Sequence, residues 1–538
     1  MKNRIHIISN INKLIASGIL CLCLNMVYSA NEITFPHVYL NKEGKLEYTS
    51  DSLGNRIPDY SFCGYLSSEK SIPFIQTKIV VPIIEGDATP YIQSAIDYVA
   101  SLPLDKNGFR GAILLDKGTY NLSGRLVIRN SGIVFRGSGM NEEGTILNAV
   151  GFDRMTLIRV LGEDDRKYFE SVKIINEYVP VNATKFEINN VKQFNIGDKI
   201  IIHRLSNKAW IDELEMRNFG GETDWIGWKP GQRDIYWERE IISIHKNDIE
   251  IDVPITCEID ETFGGGEIFK YEWQGRIENI GIENLFLVSD FNKDNLKDED
   301  HCWTAISIEN AQNCWVRQIK FEHFAGSAVA VFNSAKKITI EDCYSINPIS
   351  EIGGQRRYTF FTEGQQTLFQ RCYSEQGYHD FSVGFCAPGP NAFVQCESYL
   401  PYSFSGNIDS WSTGVLYDII NVDGEALSIS NREYKAQGAG YTGANCMLWE
   451  CSASRVDCYN PNYSNNWAYG IWAEFSGNGN WYEPNSHIKP RSFYYAQLKE
   501  RLGKNNIVDP FLYPLETSST SSPSIELAKE FAAQSLEP

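Results

Sequence analysis

Five segments decide the fold: Trp315–Phe324 (WVRQIKFEHF), Ile338–Asn347 (ITIEDCYSIN), Leu368–Gly377 (LFQRCYSEQG), Phe393–Tyr402 (FVQCESYLPY) and Met447–Val456 (MLWECSASRV). Each places a short apolar run before a polar turn. Aligned on Ile319, Cys343, Cys372, Cys396 and Cys451, they recur at steps of 24, 29, 24 and 55 residues, the last spanning two repeats. Such a period suits a solenoid in which each turn of chain stacks about 4.8 Å from the one before. Side-chain alternation along a strand puts the aligned residues on one face, which we assign to the interior. The cysteines read there as small apolar packing groups. A metal site is a poor reading, because the sequence has no CxxC pair and no cluster of histidines.

Upstream, Gly86–Pro103 (GDATPYIQSAIDYVASLP) predicts a helix over 88–100, with Ile92, Ala95, Ile96 and Val99 on one side. Short Ile-, Leu- and Val-rich strands broken at glycines follow: GAILLDKGTYNL, GRLVIRNSGIVFRGSG and EEGTILNAV. In their order, Gly86-Asp87-Ala88-Thr89, the helix, Gly118-Thr119-Tyr120 and Phe135-Arg136-Gly137-Ser138-Gly139 resemble the opening of the pectate-lyase-like superfamily. That resemblance implies an all-β, right-handed parallel β-helix with an N-terminal capping helix.

Residues 170–272 break the pattern. VPVNATKFEINNVKQFNIGDKIIIHR and EREIISIHKNDIEIDVPI predict antiparallel strands, joined by a loop holding Trp210, Trp225, Trp228, Tyr236 and Trp237. We read this as a small β insertion. The expected organisation is a signal peptide (1–30), an N-terminal extension (31–86), the start of the β-helix (87–169), the insertion (170–272), the main β-helix with C-terminal loops (273–513), and a linker and tail (514–538).

The signal reading rests on Lys2, Arg4 and Lys13, the apolar run Leu14–Val27 and small residues at Ser29 and Ala30. It implies a secreted or periplasmic protein without a membrane span. Removal of residues 1–30 would take away three basic and no acidic residues, so the net charge of -19 would become -22. That balance argues against a nucleic-acid partner. It also means that an anionic substrate needs a local cationic cluster. Of 13 cysteines, Cys21 and Cys23 fall in the signal, which leaves an odd number and at least one free thiol. With 43% hydrophobic and 22% charged residues, the composition is globular and a disordered chain is excluded.

Function in a solenoid comes from turns that line a groove. After the repeat ending near Ser345, the turn NPISEIGGQRR reaches Arg356 and Arg357 before the strand YTFF. One coil later, EQGYHD reaches His379 and Asp380 before FSVGF. We expect the two pairs to be neighbours on successive coils, in a strip with His323, Asp409 and Trp411.

Such a strip suits β-elimination on a uronic-acid glycan. Arg356 or Arg357 holds the carboxylate, His379 takes the C5 proton, Tyr378 or Tyr358 protonates the leaving oxygen, and Asp380 orients His379. With a free hydroxyl at C4, the same chemistry expels water and the protein is a dehydratase. In this reading His323, Asp409, Trp411 and Tyr358 bind substrate.

No cofactor is required. Many relatives of pectate lyase use calcium, and the best Ca2+ candidate here is Asp290-Phe-Asn292-Lys-Asp294-Asn295. That stretch lacks the glycine and terminal glutamate of an EF-hand loop. The alternatives are a glycoside hydrolase using Asp380 and Asp409 and a non-catalytic carbohydrate-binding solenoid. No Asp-Asp doublet, expected in the polygalacturonase-like branch, occurs over 340–460. Residues 404–451 also resemble a pattern of secreted bacterial β-helix proteins, with Ile408, Asp409 and Ala439 where those relatives carry histidines. Trp411, Trp467, Trp472 and Trp481 read either as sugar-stacking or as packing groups.

Overall fold

Backbone pairing reproduces the repeat. The computed structural model describes residues 36–151 and 153–503. The regions read as an export signal (1–30) and as linker and tail (514–538) lie outside them. Parallel ladders run through the main sheet, so the chain is a right-handed parallel β-helix.

Lys320 faces Tyr344, Tyr344 faces Tyr373, and Tyr373 faces Glu397, so the preceding residues, Ile319, Cys343, Cys372 and Cys396, stack in one column. Cys396 then faces Ile420, and the Asn421–Ser452 pairing sets Cys451 on Ile420. The 55-residue step therefore contains one more coil, whose column residue is Ile420. All of these cysteines are buried and unpaired. Each thiol donates to the carbonyl two residues back, as in Cys343 to Glu341 O at 3.2 Å. Burial pushes the Cys343 and Cys372 thiols well above their ordinary pKa, because an interior of low dielectric disfavours the thiolate.

The corners of the coils have a repeated cause. The residue before each column position has left-handed backbone: Gln318, Asp342, Arg371, Gln395, Ile419 and Glu450 all have φ between 51° and 59°. His323, Asn347, Gln376 and Leu400, each four residues after the column, share that geometry. These turns cost roughly 1 kcal/mol each in an L-residue and persist because stacking overdetermines them. Inside, Phe369, Phe393 and Tyr417 form a ladder of near-parallel rings 4.7 and 5.3 Å apart.

The helix Thr89–Ser101 has Pro90 in its first turn and buries Ile92, Ala95, Ile96 and Val99 in the main core. Beyond the parallel strand Thr156–Leu161, antiparallel pairing runs from Lys167–Tyr168 to Gly266–Glu272 before the β-helix resumes at Ile277. Lys199–Arg204 is the central strand, between Ile235–His245 and Gly266–Glu272. Its two faces differ. Ile200, Ile202, Ile235, Trp237 and Ile268 form a separate apolar core. The opposite face carries Tyr168, Ile201, His203, Tyr236 and Phe269.

A third core joins Tyr60 and Cys63 of the N-terminal segment to Trp449 and to Phe493 and Tyr494 of the helix Phe493–Leu502. Among the described residues, no helix is long and apolar enough to cross a membrane.

Candidate functional site

Strands Phe360–Thr362, Phe381–Val383 and Ser405–Asn407 stack on one another. Their register corrects the expected alignment. Phe360 faces Phe381, so the residues beside His379 and Asp380 are Tyr358 and Thr359, not Arg356 and Arg357. The sequence offset was two residues, because the turns before these strands differ in length.

The arginines are used elsewhere. Arg356 makes a bidentate pair with Glu299, and its second nitrogen lies 3.0 Å from Oε2. Arg357 is buried and donates to Ser350 Oγ, Ser350 O and Gln376 O at 2.9, 2.8 and 3.2 Å. Neither guanidinium is left to grip a substrate carboxylate. Asp380 does not orient His379. Its carboxylate faces the interior and accepts from Thr359 and Ser398 at 2.6 Å each, and from Ser374. Burial raises its pKa, and the three hydroxyls oppose that rise.

His323 lies against Phe291, at 4.9 Å between rings, and 3.7 Å from Glu322, away from His379. Trp411 is fully buried between Trp210 and Trp228 of the insertion, so it packs and does not stack on sugar. Trp467 is buried also, whereas Trp472 is 42% exposed against His487. In the Asp290–Asn295 loop, Asp290 pairs with Lys293, and the Asn292 side chain caps the Asp294 amide. Among the described residues, no group of three or more His, Cys, Asp or Glu side chains is arranged to hold a metal ion.

A different cluster does converge. Nδ1–H of His379 donates to Phe404 O at 2.6 Å, which leaves the lone pair on Nε2. The rings of Phe404, Tyr378 and Tyr358 surround it at 4.5, 4.6 and 5.0 Å. Burial lowers the His379 pKa to about 4, and the charge of Arg432 adds to that, so the ring is neutral at pH 7. Arg432 lies over Phe404 and also acts on Asp409 and Tyr358.

The charge of Asp409 in turn acts on Glu363, at the end of the Phe360–Thr362 strand, and is itself acted on by Arg233, which the insertion supplies. Burial, then the Asp409 charge, pushes Glu363 up to about 7. Burial raises Asp409 too, while Arg233 and Arg432 act against it. The Arg233 guanidinium lies between Phe385 and Trp228, 4.6 and 5.0 Å from their rings. Its Nε is buried without a hydrogen-bond partner.

Glu363 opens into a cavity of about 510 Å3 between the β-helix and the insertion, with Asn333, Gln365 and Phe385 on one wall and Tyr168 and Tyr236 on the other. A larger cavity, about 1060 Å3, lies at the N-terminal end around Phe74 and Arg110, away from this cluster. The sequence reading therefore placed His379, Tyr378, Tyr358 and Asp409 in one region but missed Glu363, Arg432 and Arg233. The overlooked signal is the position after each strand, where Glu363, Gly384 and Ile408 succeed one another with a glycine between larger residues.

Residues 479–538 match a family described as "Domain of unknown function (DUF6298)". No curated protein matches the chain. Among solved structures, the chain is similar to the tailspike protein gp49 from Pseudomonas phage LKA1, at 11% identity over 74% of this chain and 71% of that one, with a TM-score of 0.40. A polygalacturonase from Erwinia carotovora is 11% identical over 78% of this chain and 98% of its own, with a TM-score of 0.37. The A-module of the Azotobacter vinelandii mannuronan C-5 epimerase AlgE6 is 10% identical over 74% and 94%, with a TM-score of 0.30.

Proposed function

We propose that this protein is a carbohydrate-active enzyme that hydrolyses a glycosidic bond, with Glu363 as general acid and Asp409 as its carboxylate partner. The observation that carries the reading is the presence of two carboxyl groups in different surroundings, Glu363 in the cavity wall and Asp409 close enough for its charge to act on Glu363. Glu363 keeps its proton near neutrality, and Asp409 has two arginines beside it to favour the charged form. They sit two coils apart, which is about 10 Å of backbone at 4.8 Å per coil, and the Glu363 side chain leans across Gly384 on the coil between them. Carboxyl separations of about 5–9.5 Å serve glycoside cleavage, with the wider values leaving room for an attacking water.

A second reading is β-elimination on a uronate-containing poly- or oligosaccharide, by expulsion of the glycosidic alcohol or of water. It is favoured by one observation: His379 presents Nε2 as a lone pair among Tyr358, Tyr378 and the Arg432 guanidinium. Arg432 would then neutralise the carboxylate in place of Arg356 and Arg357, and a tyrosine would protonate the leaving oxygen.

Incubation with purified neutral and uronic-acid glycans separates the two. New reducing ends without ultraviolet absorbance support hydrolysis. Absorbance of a C4–C5 unsaturated uronate supports elimination. Retention of a glycan with neither product would mean a binding solenoid.

A further inference from the structure

The insertion sheet has a covered face and one that is covered only in part. Alternation along its strands sends Ile200, Ile202, Trp237 and Ile268 into its own core, so the intervening residues must point the other way. Those residues include large aromatics at the cavity: Tyr236 and Phe269 on the strands either side of Lys199–Arg204, and Tyr168 at the edge. Ile201, Glu238 and Tyr271 on that face are buried, Glu238 against Arg276, whereas Tyr236 is 47% exposed and Tyr168 55%, a costly use of apolar area.

Both rings are held in place. Tyr236 lies flat on His203, 4.4 Å away with 9° between planes, and hydrogen bonds to Asp234 and Glu267, at 2.8 and 3.0 Å, fix that imidazole. Tyr168 stands at 90° on Phe269 with centroids 5.3 Å apart. Tyr236 therefore has one ring face backed by His203, Tyr168 is braced by Phe269, and both rings stay about half exposed. Opposite, the β-helix wall offers the Asn333 amide beside Glu363, while the Gln365 amide oxygen is already held by Glu238 N and Arg239. A cavity of about 510 Å3 with aromatic plates on one side and hydrogen-bonding groups on the other matches the two kinds of surface on a sugar ring.

We propose that the insertion sheet is the saccharide-stacking wall of the cleft, with Tyr236 and Tyr168 each bearing the apolar face of one sugar ring across from Glu363. This inference rests on the reading of Glu363 and Asp409 as the working pair, and it assigns the insertion a role in holding a chain of at least two sugar units.

The test uses full-length protein carrying Glu363→Gln, in which turnover is expected to be slow enough for binding to be measured. An array of neutral, uronate-containing and sulfated oligosaccharides identifies the glycan retained, which is then titrated by calorimetry. Adding Tyr236→Ala or Tyr168→Ala is expected to weaken binding about tenfold, while Tyr236→Phe stays within about twofold because the plate remains. Tyr91→Ala, a similarly exposed tyrosine on the helix Thr89–Ser101, is expected to leave binding unchanged. Melting curves check that each variant folds, and Tyr168, at the sheet edge, provides the test if the Tyr236 variant does not. Unchanged affinity in a folded Tyr→Ala variant overturns the proposal. So does an array that retains nothing. Tyrosine-dependent binding without any product from the wild-type protein leaves the stacking wall standing and removes the hydrolase reading. Cleavage with an unaltered KM in both alanine variants does the reverse.

Discussion

The Glu363 side chain lies across Gly384, its neighbour one coil on: a Cβ built at Gly384 would stand 2.7 Å from Glu363 Cγ and equally close to Phe361 Cζ. The glycine thus leaves room for a carboxyl between the Glu363 coil and the coil of Asp409.

Gly384→Ala therefore tests whether that room matters. Gly384 does not need a left-handed backbone, so alanine is conformationally tolerated. Displacement of Glu363 by even about 1 Å is expected to lower kcat roughly 10- to 100-fold with little change in melting temperature. Unaltered kcat would separate Glu363 from the chemistry.

Glu363→Gln is expected to cost roughly 10²–10⁴ in kcat on the cleaved glycan. The wild-type profile carries the sign. A carboxyl raised to about 7 is protonated below that pH, so an acid-catalysed rate is highest there and falls as pH rises through about 7. A rate that climbs across this range would make Glu363 a base instead.

The two turn arginines should part company. Arg356→Ala breaks a partly exposed pair with Glu299, worth under about 1 kcal/mol, and is expected to leave turnover intact. Arg357→Ala strands buried acceptors at Ser350 and Gln376 and is expected to destabilise the fold by about 2–3 kcal/mol. Denaturant midpoints with kcat for both variants decide this. A large loss of kcat in Arg356→Ala would restore it to the site.

Asp418 predicts a pH dependence of stability. It is buried, accepts from Ser492 Oγ and from Tyr494 N at 2.9 Å, and burial raises it from 3.8 to about 7. Between those values the folded chain holds a proton that the unfolded chain has released, so stability falls as pH rises. Asp418→Asn is expected to flatten the fall in melting temperature between about pH 4 and about pH 7. Equal slopes in both proteins would contradict the assignment.

The thiols offer a check on the stacked column. Cys343, Cys372 and Cys396 are expected to resist a thiol reagent in native protein and to react fully once denaturant is added. Rapid native labelling of any of the three would show that the column is open to solvent.

The repeat was legible because buried column residues must recur in step: Cys343, Cys372 and Cys396 each occupy a slot that only one face of a coil provides. The site was legible only in part. His379 and Tyr378 stand on a turn whose following strand is regular, so they were located. Arg356 and Arg357 follow a longer turn, and a displacement of two residues moved them from groove to packing. Asp380 faces inward because of strand alternation, which a turn-based alignment does not weigh. Arg233 comes from the insertion, more than a hundred residues before its neighbours, and no local spacing ties it to Asp409. Glu363 looks like any strand-end acid until the glycine stacked on it is seen.

The meeting of the N-terminal segment with the helix Phe493–Leu502 bears on how this molecule comes apart. Tyr60 N donates to Gln497 Oε1 at 2.9 Å, Gln497 Nε2 to Pro58 O at 3.0 Å, and Tyr494 Oη to Cys63 O at 3.0 Å. A linear stack of coils can fray from either extremity without disturbing its middle. Here the segment around Tyr60 and the helix Phe493–Leu502 are buckled to each other along the flank, so loosening one releases the other. The fastening sets a single threshold for disassembly, and it is complete only once the helix Phe493–Leu502 has been made.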